Sequence, residues 1–199
     1  MRTVSLHYPD TVQYNNACTF AQELYWKKTR VELMNLPERL FVIEENNRIY
    51  GCMGLNMEKI SFTLVRDDHR FKNRCAQDSK IYGEQCVFAV GGFKLAVPVL
   101  ISTVAAYASY LGIDWVAYTS IPPSQKVIDR LGYLTEDLGP VDLSILSTKD
   151  KLNCDHWFSA HQPRLHILNT ALGKTICHEV FERFSHRILL SKSLQNKLG

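Results

Sequence analysis

The sequence predicts an α/β protein with one mixed sheet and helices on both faces. Three observations predict it: a strand–helix–strand–helix run from Tyr82 to Gly132, a hairpin pattern around Asn46-Asn47, and alternating strands and helices on either side. RTVSLHY alternates through Val4, Leu6 and Tyr8 as an opening strand that Pro9-Asp10 terminates. From Tyr14 to about Lys28, Ala17, Phe20, Ala21, Leu24 and Tyr25 recur at helical spacing, giving a first amphipathic helix. In LFVIEENNRIYGCMGL two apolar runs flank Asn46-Asn47, residues that accept positive φ, which predicts a hairpin. ISFTLV is a further strand, and RDDHRFKNRCAQDSK, Arg66 to Lys80, is an exposed connection of mixed charge with room for a helical turn.

In IYGEQCVFAV, strand alternation puts Tyr82, Glu84, Cys86 and Phe88 on one face and Gly83, Gln85, Val87 and Ala89 on the other. Gly91-Gly92 ends that strand. LAVPVLISTVAAYASYL is apolar all round and so a buried helix, with Pro98 in its first turn and Gly112 as its C-terminal stop. DWVAYTS is a short strand, and Pro122-Pro123 opens a helix that Gly132 closes. A crossover of this size is right-handed, so the two strands lie parallel and adjacent. YLTEDLGPVDLSIL returns as an edge strand interrupted at Gly139-Pro140, and DHWFSAHQPRLHIL is a loop around Trp157 and Pro163 leading to a last strand, Arg164 to Leu168. Ile176, Val180, Phe181, Phe184, Ile188 and Leu189 form one stripe, predicting an amphipathic helix at about 174–198. The sheet would hold six to seven strands.

The 199 residues are the length of one domain, 1–199, and the net charge of +3 is too small to imply nucleic acid. No segment reads as a signal peptide or a membrane span, which predicts a cytoplasmic protein. The 6 cysteines lie far apart without metal-ligand spacing, so they read as reduced, mostly buried thiols, and no metal is expected. The intervals of His156, His161 and His166 fit no usual ligand set; with Trp157 they read as surface and packing residues.

The hairpin FVIEENNRIYGCMGLN, the strand GEQCVFAV, AAYASYLGIDWVAYTS, KVIDRLGY, LGPVD and WFSAHQPRLHI occur in the same order in the thermostable hemolysin family, and residues 14–168 of this chain resemble that family. Its members are similar to GNAT acyltransferases, and more distantly to acyl-homoserine-lactone and N-acyl amino acid synthases. The resemblance implies a GNAT-like sheet whose fourth and fifth strands splay to admit the pantetheine arm of acyl-CoA or an acyl-acyl carrier protein. It also implies transfer of the acyl group to a small amine or amino acid. The chain departs from these patterns in three places. VGGFKLA keeps only Gly91, Gly92 and Lys94 of a glycine-rich phosphate loop; Cys86-Val87 replaces the Gly-Asn pair of the hemolysin-like proteins; and of the lactone synthases' Glu-x-Ser-Arg-Phe only Glu84 and Phe88 match. The missing arginine argues against a homoserine-lactone product, and a non-catalytic or membrane-active protein on this fold is the other reading.

For such chemistry Glu84 is the candidate general base, an acid inside an apolar strand that either faces a cleft or pairs with Lys80 or Arg74. Thr119 and Ser120, at the C-terminal edge of a parallel strand, would orient a carbonyl or protonate a leaving thiolate; alternatively they cap the next helix. Gly91, Gly92, Phe93 and Lys94 would seat the donor's phosphate at a helix N-terminus, unless they form a plain turn. Backbone N–H groups of Phe88, Ala89 and Val90 would polarise the thioester carbonyl. Cys86 reads as a buried thiol rather than a nucleophile, with no nearby group to activate it. The tail stripe, with Arg183, His186, Arg187, Lys192 and Lys197 beside it, would pack on the sheet, on a second copy in a homodimer, or on an anionic membrane.

Overall fold

The computed structural model describes residues 1–57, 63–77 and 79–199. Eight strands form one sheet: β1 (Arg2–His7), β2 (Arg39–Glu45), β3 (Arg48–Asn56), β4 (Tyr82–Val90), β5 (Trp115–Ser120), β6 (Thr135–Pro140), β7 (Arg164–Asn169) and β8 (Ile188–Leu190). Their order is β6-β7-β5-β4-β3-β2-β1-β8; β4/β5 and β1/β8 are parallel and the other pairs antiparallel. The β2–β3 hairpin turns on Asn46 and Asn47 with φ of 51° and 62°, the left-handed pair a tight hairpin turn requires.

Alternation sorts each strand between two covered faces. Phe41 and Ile43 of β2 join Met53 and Leu55 of β3 on one face, packed under α4 (Ala96–Tyr110), α7 (Gly173–Phe184) and α8 (Lys192–Leu198), with α5 (Pro122–Leu131) adding Ile128. Helices α4 and α7 touch closely because Gly173 has no side chain: a Cβ there would lie 2.6 Å from the Ala105 carbonyl oxygen. On the opposite face, Leu40, Val42 and Cys52 meet Tyr14, Ala17, Cys18 and Ala21 of α1 (Val12–Thr29). Further along that face, Ala117, Leu165 and Ile167 meet Val65 of α2 (Thr63–Arg66) and Phe71 of α3 (His69–Gln77).

Several expectations are corrected. Of the strand predicted over ISFTLV, residues 60–62 lie outside the described residues and Thr63–Arg66 is a helical turn. The Arg66–Lys80 connection contains nine-residue α3, because Asp68 caps it: Oδ1 accepts from the Arg70 and Phe71 N–H groups at 2.8 and 3.3 Å. The stretch through DHWFSAH is not a loop but α6 (Thr148–His161), started by Ser147, whose hydroxyl accepts from the Asp150 N–H, and stopped at Gln162 in the left-handed region. The tail is not one helix. Its stripe is real to Phe184, after which Ile188–Leu190 becomes β8 alongside β1 and Ser191 caps α8. The stripe is thereby spent inside the chain's own core, where Ile176, Val180, Ile188 and Leu194 are buried.

Burial works against ionisation of Asp68, but its hydrogen bonds from Arg70 and the α3 amides outweigh that and hold its carboxyl below the usual range. Stability from a lowered carboxyl is present above the unfolded value of about 3.9 and fades as pH falls through the folded one. Asp68→Ala should therefore cost about 2 kcal/mol in urea melts at pH 7. The gap from the parent should narrow as pH drops from 5 toward 2, and a gap independent of pH would contradict this account.

Candidate functional site

The site originates in one residue of irregular backbone. Val87 has φ of 48°, and β4 carries an extra residue there: Gly54 of β3 pairs with Cys86, whereas Cys52, two residues earlier, pairs with Ala89. This is a β-bulge, and it reverses the alternation beyond it. Cys86, Val87 and Ala89 pack toward α1, while Phe88 and Val90 turn toward α4. Phe88 is thus on the face opposite Cys86, not the same one, because the inserted residue shifts the pleat by one.

At the bulge β4 leaves β5. The two are paired only at Tyr82↔Trp115, Gly83↔Val116 and Glu84↔Ala117. Beyond that point β4 stays with β3 as far as Gly51↔Val90, and β5 stays with β7 as far as Ser120↔Arg164. The sheet therefore opens as a V with Glu84 at its vertex. Over the opening lies a cavity of about 810 Å³, floored by Gln85 to Val90 and by Thr119 and Ser120. Tyr25 and Lys28 of α1 form one wall, residues 31–35 another, and Cys154, Trp157, Phe158 and His161 of α6 the roof. A narrow extension of about 80 Å³ runs into the gap itself, reaching Ile101, Tyr118 and Ile128.

The roof is tied down at one point by side-chain to backbone pairing. Asn153 Oδ1 accepts from the Glu32 N–H and Nδ2 donates to the Glu32 carbonyl, both at 2.9 Å. Leu146, Cys154 and Phe158 pack there with Val31 as a small apolar cluster of their own. Trp157 and His161 stack with centroids 4.9 Å apart.

The residues predicted for chemistry divide into three groups. Phe88, Ala89, Val90, Thr119 and Ser120 all line the cavity. Glu84 is fully buried at the vertex, and Asn56 Nδ2 donates to its Oε2 at 2.7 Å; Arg74 and Lys80 reach Glu136 and Asp114. Gly91, Gly92, Phe93 and Lys94 lie outside the cavity lining. The Gly91 N–H is taken by the Tyr50 carbonyl at 2.9 Å, and the Phe93 ring meets Tyr50 edge-to-face, with the Arg2 guanidinium over both rings. Helix α5 starts at Ile121 without a side-chain cap, so the hydroxyls of Thr119 and Ser120 are not its caps.

Other groups at the site had no clear signal in the sequence. The Tyr25 hydroxyl accepts from the Phe88 N–H at 3.1 Å, and burial pushes this phenol far above its ordinary value. Lys28 Nζ donates to the Val90 carbonyl at 2.9 Å, placing a cation at the cavity edge. Arg66 lines the cavity while its guanidinium holds Asp67; that contact, and more remotely the Glu84 charge, raises its already high pKa. Tyr25 and Lys28 are one helical turn apart, which is visible in the sequence, but nothing there marks them as facing a gap rather than a core.

Searches against family models and curated proteins give no match. Solved structures do match. FeeM, an N-acyl amino acid synthase from uncultured soil microbes, is 11% identical with a TM-score of 0.65, covering 90% of this chain and 97% of its own. The AHL synthase LasI is 11% identical with a TM-score of 0.57 over 85% and 89% of the two chains. BjaI, a CoA-dependent acyl-homoserine lactone synthase solved with SAM and isopentyl-CoA, is 12% identical with a TM-score of 0.56 over 99% and 98%. The chain thus has the GNAT-like fold of these synthases.

Burial, and next the charge of Glu84, raise the Cys86 thiol well above its ordinary value, so Cys86 should resist iodoacetamide at pH 7.5 in the native protein and react on unfolding. Rapid native labelling, read by peptide mass spectrometry, would restore it as a nucleophile.

Proposed function

We propose that this protein is an N-acyltransferase that moves an acyl group from a thioester of coenzyme A or an acyl carrier protein to a small amine such as an amino acid. One observation carries the reading: β4 and β5 pair over three residues and then part beside a cavity of about 810 Å³. A gap of this kind suits an extended thioester arm, whose carbonyl would meet an acceptor amine held under the α6 roof. The amine nitrogen attacks the carbonyl carbon, the C–S bond breaks with its electrons passing to sulfur, and the acceptor's ammonium proton must be removed beforehand.

Glu84 is the proposed base, since it is the last residue of β4 paired with β5, next to Gln85, where the cavity lining starts. Tyr25 is the proposed donor to the developing oxyanion. The N–H of Phe88 points into the Tyr25 oxygen, which strengthens the phenol O–H as a donor and puts it where the Phe88 amide would otherwise serve. Lys28, beside the end of β4, together with exposed Lys94, would meet the donor's phosphate. The absence of arginine after Cys86 favours an N-acyl amino acid over a lactone. The likeness to hemolysin-named proteins supports no lytic role, because the tail stripe offered for membrane contact is used in packing. No helix among the described residues is long and apolar enough to cross a membrane.

Thermal-shift titration with coenzyme A thioesters of rising chain length tests the reading. Saturation at 100 times Kd stabilises the native state by about 2.7 kcal/mol, and no shift with any thioester or acylated carrier protein would defeat it. With a responsive thioester, Glu84→Gln should lower thiol release by about 10²-fold or more while preserving the shift. Tyr25→Phe should lower it by about tenfold to a hundredfold. Unchanged turnover would remove the corresponding residue from its role.

A further inference from the structure

The gap between β4 and β5 has a hydrogen-bonding polarity fixed from outside it. Gln125, on α5, donates from Nε2 to Asp129 Oδ1 at 2.9 Å, and Thr135 Oγ1 lies 3.5 Å from the same nitrogen. The reverse orientation would set two oxygens against each other, so the amide has one stable orientation. Its carbonyl oxygen therefore faces the sheet, where it accepts from the Tyr118 and the Ser120 hydroxyls, each at 3.0 Å. A carbonyl oxygen has two lone pairs and no proton, so both hydroxyls must donate, and both protons are committed. Ser120 borders the cavity and its narrow extension, and Tyr118 borders the extension. What these oxygens can present to the gap is lone pairs. The Tyr118 ring is fixed in turn, stacked on His166 with centroids 5.4 Å apart.

We infer that Gln125 is a positioning residue that turns the gap into a hydrogen-bond acceptor site, selecting a ligand arm that carries an N–H group, such as the secondary amide of a pantetheine-type thioester. The inference rests on the acyl-transfer reading and deepens it. It also excludes both roles expected of Ser120 from the sequence. With its proton held by Gln125, Ser120 neither donates to a carbonyl nor protonates the leaving thiolate, and it orients the arm by accepting from its N–H. Burial pushes the Tyr118 phenol far up, so it too keeps its proton.

The test is calorimetric titration of the full chain with pantetheine and with an analogue whose amide nearest the thiol is replaced by an ester, which keeps the shape and loses the donor. The parent protein should bind the amide at least about tenfold more tightly, in line with one hydrogen bond in a buried site. Gln125→Met and Ser120→Ala should each bring the ratio close to one, and Ser120→Ala decides alone if Gln125→Met does not fold. Equal binding of both compounds by the parent would overturn this assignment and leave the acyl-transfer reading intact. A ratio that survives both substitutions would overturn the part given to Gln125, and no binding of either compound would overturn the assignment and the reading together.

Discussion

A valine held in left-handed backbone is the constraint on which the rest of this structure depends. β-Branched residues avoid that region, and occupying it costs on the order of 1–3 kcal/mol. Val87 stays there because its surroundings leave little choice. Its side chain is buried against the α1 cluster, the next amide is bonded to Tyr25, and Gly54 on β3 admits the close approach of Pro37 and the Cys86 sulfur, which a Cβ there would meet at 2.6 and 3.0 Å. The bulge bends β4 away from β5, and the sheet becomes two halves joined by three residue pairs that end at Glu84 and Ala117.

Opening a sheet leaves backbone groups that must be satisfied, and the chain meets the need with side chains from other elements. Tyr25 takes the Phe88 N–H and Lys28 takes the Val90 carbonyl, both from α1. The same two residues also wall the cavity. Across the cavity, α6 has little apolar surface to bury in the main core and is secured by its own small cluster and by Asn153 on the Glu32 backbone. The arrangement gives a floor built on the sheet and a roof held by its own small cluster and by Asn153.

The central strand–helix–strand–helix run and the hairpin were legible in the sequence because their signals are local: Asn46-Asn47, Gly112 and Gly132 all take the positive φ their positions suggested. What stayed hidden depended on distant partners. Val87 looks like any strand valine, so strict alternation placed Phe88 on the wrong face. Helix α6 carries few apolar residues; Cys154, Trp157 and Phe158 face the cavity and a satellite cluster while Leu152 is exposed, so no continuous stripe announced it. The tail stripe continued in phase through Ile188, but the open edge of β1 recruits Ile188–Leu190 as a strand. Of the residues singled out from strand position and the expected splay, Thr119, Ser120 and Phe88 to Val90 line the cavity, whereas Glu84 is fully buried and outside its lining. Tyr25, Lys28 and Gln125 became visible only once their hydrogen bonds to the parted strands were known.

The most direct measurement of the central claim is photo-crosslinking with a coenzyme A thioester that bears a diazirine on its acyl group. If the parted strands receive the thioester arm, labelled peptides should map to residues 85–90, 119–124 and the α6 roof, and an excess of unmodified thioester should abolish the labelling. Labelling confined to other surfaces, or indifferent to competitor, would mean that the opening beside Val87 is not where an acyl donor binds.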